Sequence, residues 1–530
     1  MADRCMSNSA VGITTAMETA IESERKYDTP KAFTLPKLAG TAGVHEVGEP
    51  QVHDLDATYF DTDDLRLARN RITLRRRAGG TDAGWHLKTP GADHDRTEHR
   101  MPLGGDDVPA ELLAAVRAVV RDRPLGPVAR LRTRRREYPL QDSSGRVLAL
   151  LAEDDVDAEA GGAQQRWREI EVELVDGDSA VLKALDKRMR AAGAAPAAGP
   201  SKLARALGDR LSATTSSAVG RGAPKAVRAV VAYVRDQRDA ITTNDPAVRR
   251  GDPAAVHAMR VATRRLRSTL RTFRGLWDQD RSEALRPELS WLADQLGGVR
   301  DRQVMATRLH RAVAEQPPSA VVGPIDARIT EHLDNDLEQG RATLDSALDD
   351  SRYLRLLDDL DALVETAPAD VRGAWIRRRA AKALARADAL LDKAMAPAPA
   401  GTGPRSDTAK TPQDASAQEH DRDEHLHDAR KAYKRARYAV EVFVAREGTP
   451  ARRLVKRLTE LQDVLGDHQD ATITRELLRE YAGRAHAAGD SSFSYGVLYA
   501  RQQAAGEAIL GRLPAARRAS RRRRLRRWLR

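Results

Sequence analysis

Cysteine is almost missing from this chain of 530 residues: Cys5 stands alone. A single thiol excludes an internal disulfide and any cysteine-ligated zinc site, and it fits a reducing compartment. Aromatic residues amount to only 4%, which leaves little for the base-stacking platforms that hold single-stranded nucleic acid. No stretch is long and apolar enough to span a membrane, and the N-terminal MADRCMSNSAVGITTAMET has no hydrophobic signal core. The expectation is a cytoplasmic chain without a membrane partner. Charge, by contrast, is abundant: 89 Lys and Arg against 77 Asp and Glu give a net +12, which points to an anionic partner. The length is too great for one ordinary core and predicts at least two domains.

One stretch is written twice. HAMRVATRRLRSTLRTF (His257–Phe273) returns as HDARKAYKRARYAVEVF (His427–Phe443). His257 matches His427, Arg260 matches Arg430, Arg264 matches Lys434, Arg265 matches Arg435, and Arg267 matches Arg437. Neither copy contains Gly or Pro, and both read as helices. At helical spacing His257, Arg260, Arg264, Arg267 and Arg271 share one stripe, opposite Met259, Ala262, Leu266, Leu270 and Phe273. His427, Arg430, Lys434 and Arg437 form the equivalent stripe, with Lys431 and Arg435 beside it. A solvated helix face ordinarily mixes signs at i,i+4, and these stripes are almost purely cationic. A polyanion lying along them relieves the repulsion.

Each copy is followed by a second shared signal. LADQLGGVRDRQV (Leu292–Val304) is echoed by LQDVLGDHQDATI (Leu461–Ile473), with Gly297 matching Gly466 and Asp301 matching Asp470. The paired arrangement resembles the CHAD family, the conserved-histidine α-helical domain. The resemblance implies two pseudo-symmetric four-helix bundles whose basic residues grip inorganic polyphosphate.

The first two hundred residues read differently. IESERKYD, RITLRRR, HLKTPG, RTEHR, RTRRREY, LAEDDVD and REIEVELVDG each alternate charged with other residues, as short strands do. The alternation sets Glu22, Glu24 and Lys26 on one face, as it does Arg75 with Arg77, Arg96 with Glu98 and Arg100, and Glu169 with Glu171 and Glu173. It also groups Arg132, Arg134 and Arg136. Such strands form either a sheet with a solvated charged side or a barrel with a charged interior. Because a filled small barrel carries apolar side chains inside, a charged interior implies a cavity for charged ligands.

These pieces resemble the CYTH family, the triphosphate tunnel metalloenzymes, from about Ala20 to Leu207. The family's ExExK signature stands as Glu22-Ser23-Glu24-Arg25-Lys26, followed in order by TYFDT, LRRR, WHLKTP, EIEVEL and SKLARAL. The resemblance implies metal ligation by Glu22, Glu24, Glu169 and Glu171, with Glu173 sharing the role of Glu171. It implies Mg²⁺ or Mn²⁺ as the cofactor. It makes Lys26, Arg75, Arg77, Lys88, Arg134 and Lys202 the triphosphate clamp. Arg136 replaces Arg134 if the register slips by two, Arg100 adds a basic contact, and Asp155 is a further acidic candidate beside the catalytic Glu22, Glu24 and Lys26.

The expected architecture is therefore α+β and multidomain: an N-terminal antiparallel β-barrel or tunnel, then an all-α domain of two pseudo-symmetric four-helix bundles. Boundaries are expected at a disordered leader (1–18), a tunnel domain (19–211), a linker (212–223) and a helical domain (224–530). Within the last, halves at about 224–395 and 425–515 are joined by a disordered loop (396–424) and end in a basic tail (517–530). The expected function is metal-dependent hydrolysis of inorganic triphosphate or a related substrate, coupled to polyphosphate binding, with an association with polyphosphate granules. Three alternatives stand beside it: a non-enzymatic polyphosphate scaffold, an adenylate cyclase, and a nucleic-acid-binding protein favoured by charge alone.

Overall fold

The computed structural model describes residues 17–30, 32–91, 95–212, 222–366, 368–396 and 412–529. The chain divides into two compact units, Met1–Ser216 and Ser217–Arg530. Most of the expected leader and linker lies outside the described residues.

The first unit is built on strands β1 (Glu18–Asp28), β2 (Glu46–Val47), β3 (Gln51–Asp61), β4 (Thr73–Ala78), β5 (Gly84–Pro90), β6 (Asp95–Pro102), β7 (Gly126–Gln141), β8 (Val147–Ala160), β9 (Ala163–Leu174) and β10 (Ala195–Pro196). All pairings are antiparallel in the order β10-β1-β6-β5-β4-β3-β7-β8-β9. Pairing of β9 back onto β1, with Lys26 opposite Glu171, closes eight of them into a barrel. The short β2 adds to β7 and β10 to β1.

Short helices α1 (Arg66–Arg69), α2 (Ala110–Val120), α3 (Ser179–Ala191), α4 (Lys202–Leu207) and α5 (Asp209–Ser212) complete the unit. The apolar cores lie largely outside the barrel wall. Trp85, Leu87 and Leu74 pack under Leu112 and Val116 of α2. Ile170, Val172 and Leu151 pack under Leu182, Leu185 and Met189 of α3. Because helices cover the outward faces, the inward faces carry the charge. At one end Leu203, Ala206 and Leu207 of α4 join Ala57, Leu131 and Val156 in an apolar plug. Ser201 starts that helix by accepting a hydrogen bond from the Ala204 amide at 3.1 Å.

The second unit contains α6 (Lys225–Arg249), α7 (Pro253–Thr272), α8 (Gln279–Ala314), α9 (Ile325–Asp349), α10 (Ser351–Glu365), α11 (Gly373–Ala394), α12 (Pro412–Glu441), α13 (Val444–Glu447), α14 (Thr449–Ala487), α15 (Phe493–Ser520) and α16 (Arg523–Arg526). Helices α6, α7, α8 and α9 pack in succession, as do α11, α12, α14 and α15. The two written copies, α7 and α12, touch where the halves meet.

Two boundaries differ from the sequence reading. α11 packs mainly against α12 and opens the second half, so the halves divide between α10 and α11 and not near residue 395. Residues 412–424, read as a disordered loop, are helical and lengthen α12 toward its N-terminus. Leu426 is buried and Asp423 bonds to His468 at 2.9 Å, so tertiary partners hold a segment whose composition is that of a loop. Residues 397–411 of that expected loop lie outside the described residues.

The basic tail is not a free arm. Arg517 and Arg521 bond to Asp392 of α11, Arg526 pairs with Asp388, and Trp528 lies edge-on to Phe443 at 5.5 Å.

Candidate functional site

The barrel interior is a cavity of about 80 Å³ lined mainly by charged groups. Inward alternation on β1 supplies Glu22, Glu24 and Lys26; β4 supplies Arg75 and Arg77, and β5 Lys88. β6 adds Arg96, Glu98 and Arg100, β7 adds Arg135, and β9 adds Glu171 and Glu173. Lys202 enters from the first turn of α4. Signs interleave: Glu22, Glu24, Glu171 and Glu173 stand on β1 and β9 with Lys26 among them, β6 carries Glu98 between Arg96 and Arg100, and guanidinium groups stand on β4 and β7.

The inward groups pair across the cavity. Lys26 reaches Glu24 at 3.1 Å and bonds to Glu171. Lys88 bonds to Glu22 at 2.5 Å and lies 3.5 Å from Glu98. Lys202 is held at 2.8, 2.7 and 2.8 Å from Asp154, Glu169 and Glu171. Burial opposes ionisation of Glu171, yet Lys202 and Lys26 overcome it and hold that carboxyl well below its usual range. Glu22 behaves oppositely: burial pushes it up to about 7 against the pull of Lys88, and the nearby Glu98 and Glu173 add to the rise. Burial also raises Glu173. On the other wall, burial with Arg75 and Arg135 nearby brings Arg77 down to about 9. Most inward groups are paired, Arg77 with Asp82 among them, and burial is what shifts Glu22, Glu173 and Arg77 toward their neutral forms.

Three expected residues lie elsewhere. Arg134 and Arg136 point out of the barrel, and the inward arginine of β7 is Arg135, bidentate to Asp154 at 2.8 Å and 2.7 Å from Glu171. Arg136 instead meets Glu153 at 3.2 Å on the outer surface. Asp155 is exposed, and the inward carboxylate of β8 is its neighbour Asp154, fully buried. RTRRREY is basic on both faces and EDD acidic on both, so alternation alone does not say which face turns in. Leu131 and Thr133 inside the barrel decide it. Glu169 lies beside Lys202 and accepts a hydrogen bond from the Trp167 indole at 2.7 Å. Glu98, Arg96, Asp82 and Tyr59 also line the cavity outside the expected set. His86 sets Nδ1 2.9 Å from the Glu98 carboxylate and Nε2 2.8 Å from the Asp82 carbonyl, and burial, with Arg75 and Arg77 nearby, lowers it to about 4 against the pull of Glu98.

In the helical unit a groove of about 670 Å³ runs between α7, α8 and α12. Arg264, Arg267, Arg271, Arg286, Lys431, Lys434 and Arg435 line it, with Glu283 as the single carboxylate among the lining residues. Arg286 was not legible in the duplicated stretch. The other expected binders lie outside this groove. Arg260 is bidentate to Asp301 at 2.7 Å, and Arg430 lies 3.9 Å from Asp470. The duplicated glycine explains these latches: a Cβ on Gly297 would sit 3.3 Å from the Arg260 guanidinium, and one on Gly466 3.7 Å from that of Arg430. Glycine lets the arginine lie against the next helix and reach the aspartate one turn on. His427 bonds to Gln469 at 2.6 Å, His257 is exposed, and Arg265 and Arg437 both bond to Glu441.

Two family models match the chain: the CYTH domain over residues 20–206 and the CHAD domain over 232–479. The uncharacterized protein Rv2226 of Mycobacterium tuberculosis is 39% identical over 525 residues, covering 94% of this chain and 95% of the relative. The chain belongs to the CYTH–CHAD family. Among solved structures, PptA from Streptomyces chartreusis is 24% identical with a TM-score of 0.44, covering 55% of this chain and 98% of that one. The CHAD domain of Ricinus communis is 25% identical with a TM-score of 0.41, covering 57% and 95%. No helix among the described residues is long and apolar enough to cross a membrane.

The CYTH barrel offers donors that suit a hard divalent cation. Asp154, Glu169 and Glu171 lie within 4.8 Å of one another, but the Lys202 ammonium already occupies their centre. The inward carboxylates Glu22, Glu24 and Glu173 offer a second set of oxygens, the preferred ligands of Mg²⁺ or Mn²⁺: burial raises Glu22 and Glu173, while Lys26, Lys88 and Arg96 outweigh burial and hold Glu24 below its usual range.

Proposed function

We propose that the CYTH barrel hydrolyses inorganic triphosphate or a closely related triphosphate, with a divalent cation, and that the CHAD unit binds inorganic polyphosphate in the α7–α12 groove. The observation that carries this reading is a closed barrel whose interior gathers both a set of guanidinium and ammonium groups and a set of carboxylates, Glu22, Glu24, Glu171 and Glu173. A pure anion receptor has no use for inward Glu22, Glu24 and Glu173.

Arg75, Arg77 and Arg135 receive phosphate oxygens, which relieves their mutual repulsion. Lys26 and Lys88 turn from carboxylates to phosphates, which frees Glu24 and Glu22 to ligate the cation beside Glu173. A divalent cation held there supplies Lewis acidity and a template for in-line attack. Water adds to the terminal phosphorus as the anhydride P–O bond breaks, giving phosphate and a shortened chain. The residues supply alignment and charge neutralisation, the chief demands of phosphoryl transfer. The only aromatic ring in the lining is Tyr59, whose hydroxyl accepts from Arg75 at 3.4 Å. Beside that ring only Leu55, Ala57 and Leu131 of the described lining are apolar, against fourteen charged residues, which favours an inorganic substrate.

The test is phosphate release from tripolyphosphate, ATP and long polyphosphate with Mg²⁺, Mn²⁺ or EDTA, with cyclic AMP followed in parallel. The expected result is metal-dependent release from tripolyphosphate, lost in Glu24→Gln, while polyphosphate binding by the CHAD unit is unchanged. Metal-independent release, or full activity in Glu24→Gln, removes the reading.

A further inference from the structure

The duplication makes a demand on the CHAD unit that its side chains do not meet. Two copies related by pseudo-symmetry should give two equivalent anion grooves. The cations of the α7–α12 groove are not all repeated: Lys431 corresponds to Val261, Arg286 corresponds to Val455 in the Gly297–Gly466 register, and Arg271 of α7 corresponds to Glu441 of α12, where alone among these three an opposite charge stands.

The consequences can be followed pair by pair. On the open side, Arg267 of α7 and Arg435 of α12 line the groove with Arg271. Burial and the surrounding guanidinium groups, Arg271 first among them, bring Arg435 down to about 10. The repeat equivalents of Arg267 and Arg435 are Arg437 and Arg265. Both converge on the Glu441 carboxylate: Arg265 Nε donates to it at 3.1 Å, and Arg437 also bonds to it. The Tyr233 hydroxyl donates to the same carboxylate at 2.9 Å, and the carboxylate is 9% exposed. Two cations and a hydroxyl closing on one buried anion form a complete anion nest, made within the chain.

We propose that Glu441 is a built-in anion that fills the second of the two repeat-related sites, so that the CHAD unit takes up phosphate chains in the Arg267–Arg271–Arg435 groove alone. The inference rests on the polyphosphate reading given above. The carboxylate also marks, by repeat equivalence, where a phosphate oxygen sits on the open side: between Arg267 and Arg435. Arg271, standing where the duplicate has Glu441, adds attraction in place of closure. The acid at this repeat position thereby closes one of the two related sides and leaves a single site with one register.

The experiment is calorimetric titration of the full-length protein, in EDTA, with a short inorganic polyphosphate of defined length, too short to bridge both sides. Glu441→Gln keeps the shape and the tyrosine partner but removes the charge, and thermal melts report its folding. The expected result is one more chain bound per protein than in the unaltered chain; any site in the barrel adds equally to both and drops out of the difference. An unchanged stoichiometry and affinity in a folded Glu441→Gln overturns the inference.

A mirror pair covers the case of a variant that fails to fold. Arg267→Ala should weaken binding by roughly tenfold, as loss of one charge-assisted contact does, whereas its equivalent Arg437→Ala should change it by less than about twofold. Equal losses in both also overturn it. Absence of any polyphosphate binding by the unaltered protein defeats the proposed function itself, and so is told apart from failure of this inference.

Discussion

Lys434 offers the sharpest quantitative test of the groove. Its ammonium is largely buried and faces Arg430, Arg264 and Arg260, with Asp470 pulling the other way; burial first, then those cations, bring it from 10.5 to about 7. A phosphate chain laid over it supplies the missing negative charge and restores an ordinary lysine pKa. Binding above pH 7 must therefore carry a proton with it. At pH 8 a group titrating near 7 is ~10% charged, so about 0.9 proton is taken up per chain. Between pH 6 and pH 9 the affinity should fall by about 100-fold, because each unit above the free pKa weakens binding ~tenfold. Titration calorimetry in buffers of differing ionisation heat reads the proton uptake directly, and Lys434→Arg, charged throughout, is the control. It should show a nearly flat profile and no uptake. Stability follows with the sign of a depressed folded pKa. The contribution of Lys434 is present above about 10.5, falls by ~1.4 kcal/mol per unit as pH drops toward 7, and is fully lost below that. Lys434→Met should therefore stabilise the free protein at pH 6 while weakening polyphosphate binding. Equal proton uptake by the unaltered protein and Lys434→Arg, or none in either, would refute the reasoning.

Two further outcomes are expected in the barrel. Arg135→Ala should abolish triphosphate hydrolysis and destabilise the first unit, because it strips the bidentate partner from buried Asp154, whereas Arg134→Ala, on the outer face, should leave kcat/KM within about twofold. Steady-state kinetics with tripolyphosphate separate the two, and equal effects would show the β7 register to be wrong. Lys202→Met leaves Asp154, Glu169 and Glu171 without their shared ammonium and should cost about 3–5 kcal/mol in urea unfolding; a loss below about 1 kcal/mol would mean that the three carboxylates do not depend on it.

Much of this protein was decided locally along the chain. Alternation of period two placed Glu22, Glu24 and Lys26 on one face because a strand has only two faces, and the clamp residues Arg75, Arg77, Lys88 and Lys202 were legible from the same pattern and the family resemblance. Helical periodicity and the written duplication defined α7 and α12 and their basic stripes. Pattern reading stops where both faces of an element carry the same chemistry. In RTRRREY and in EDD the inward residues, Arg135 and Asp154, could not be told from their neighbours until the apolar Leu131 and the barrel closure set the register.

The same limit holds for the stripes. Sequence marks Arg260, Arg265, Arg430 and Arg437 as equals of Arg264, Arg267 and Lys434, since all are cations at helical spacing. What separates them is the carboxylate each one meets: Asp301 for Arg260, Asp470 for Arg430, and Glu441 for Arg265 and Arg437, whereas the groove of Arg264, Arg267 and Lys434 holds Glu283 as the single carboxylate among its lining residues. Charge belongs to the residue, but whether that charge is left for a ligand depends on which side chain the fold brings opposite it. For Arg260 and Arg430 that takes the packing of neighbouring helices within a half, and for Arg265 the packing of α7 against α12 from the other half.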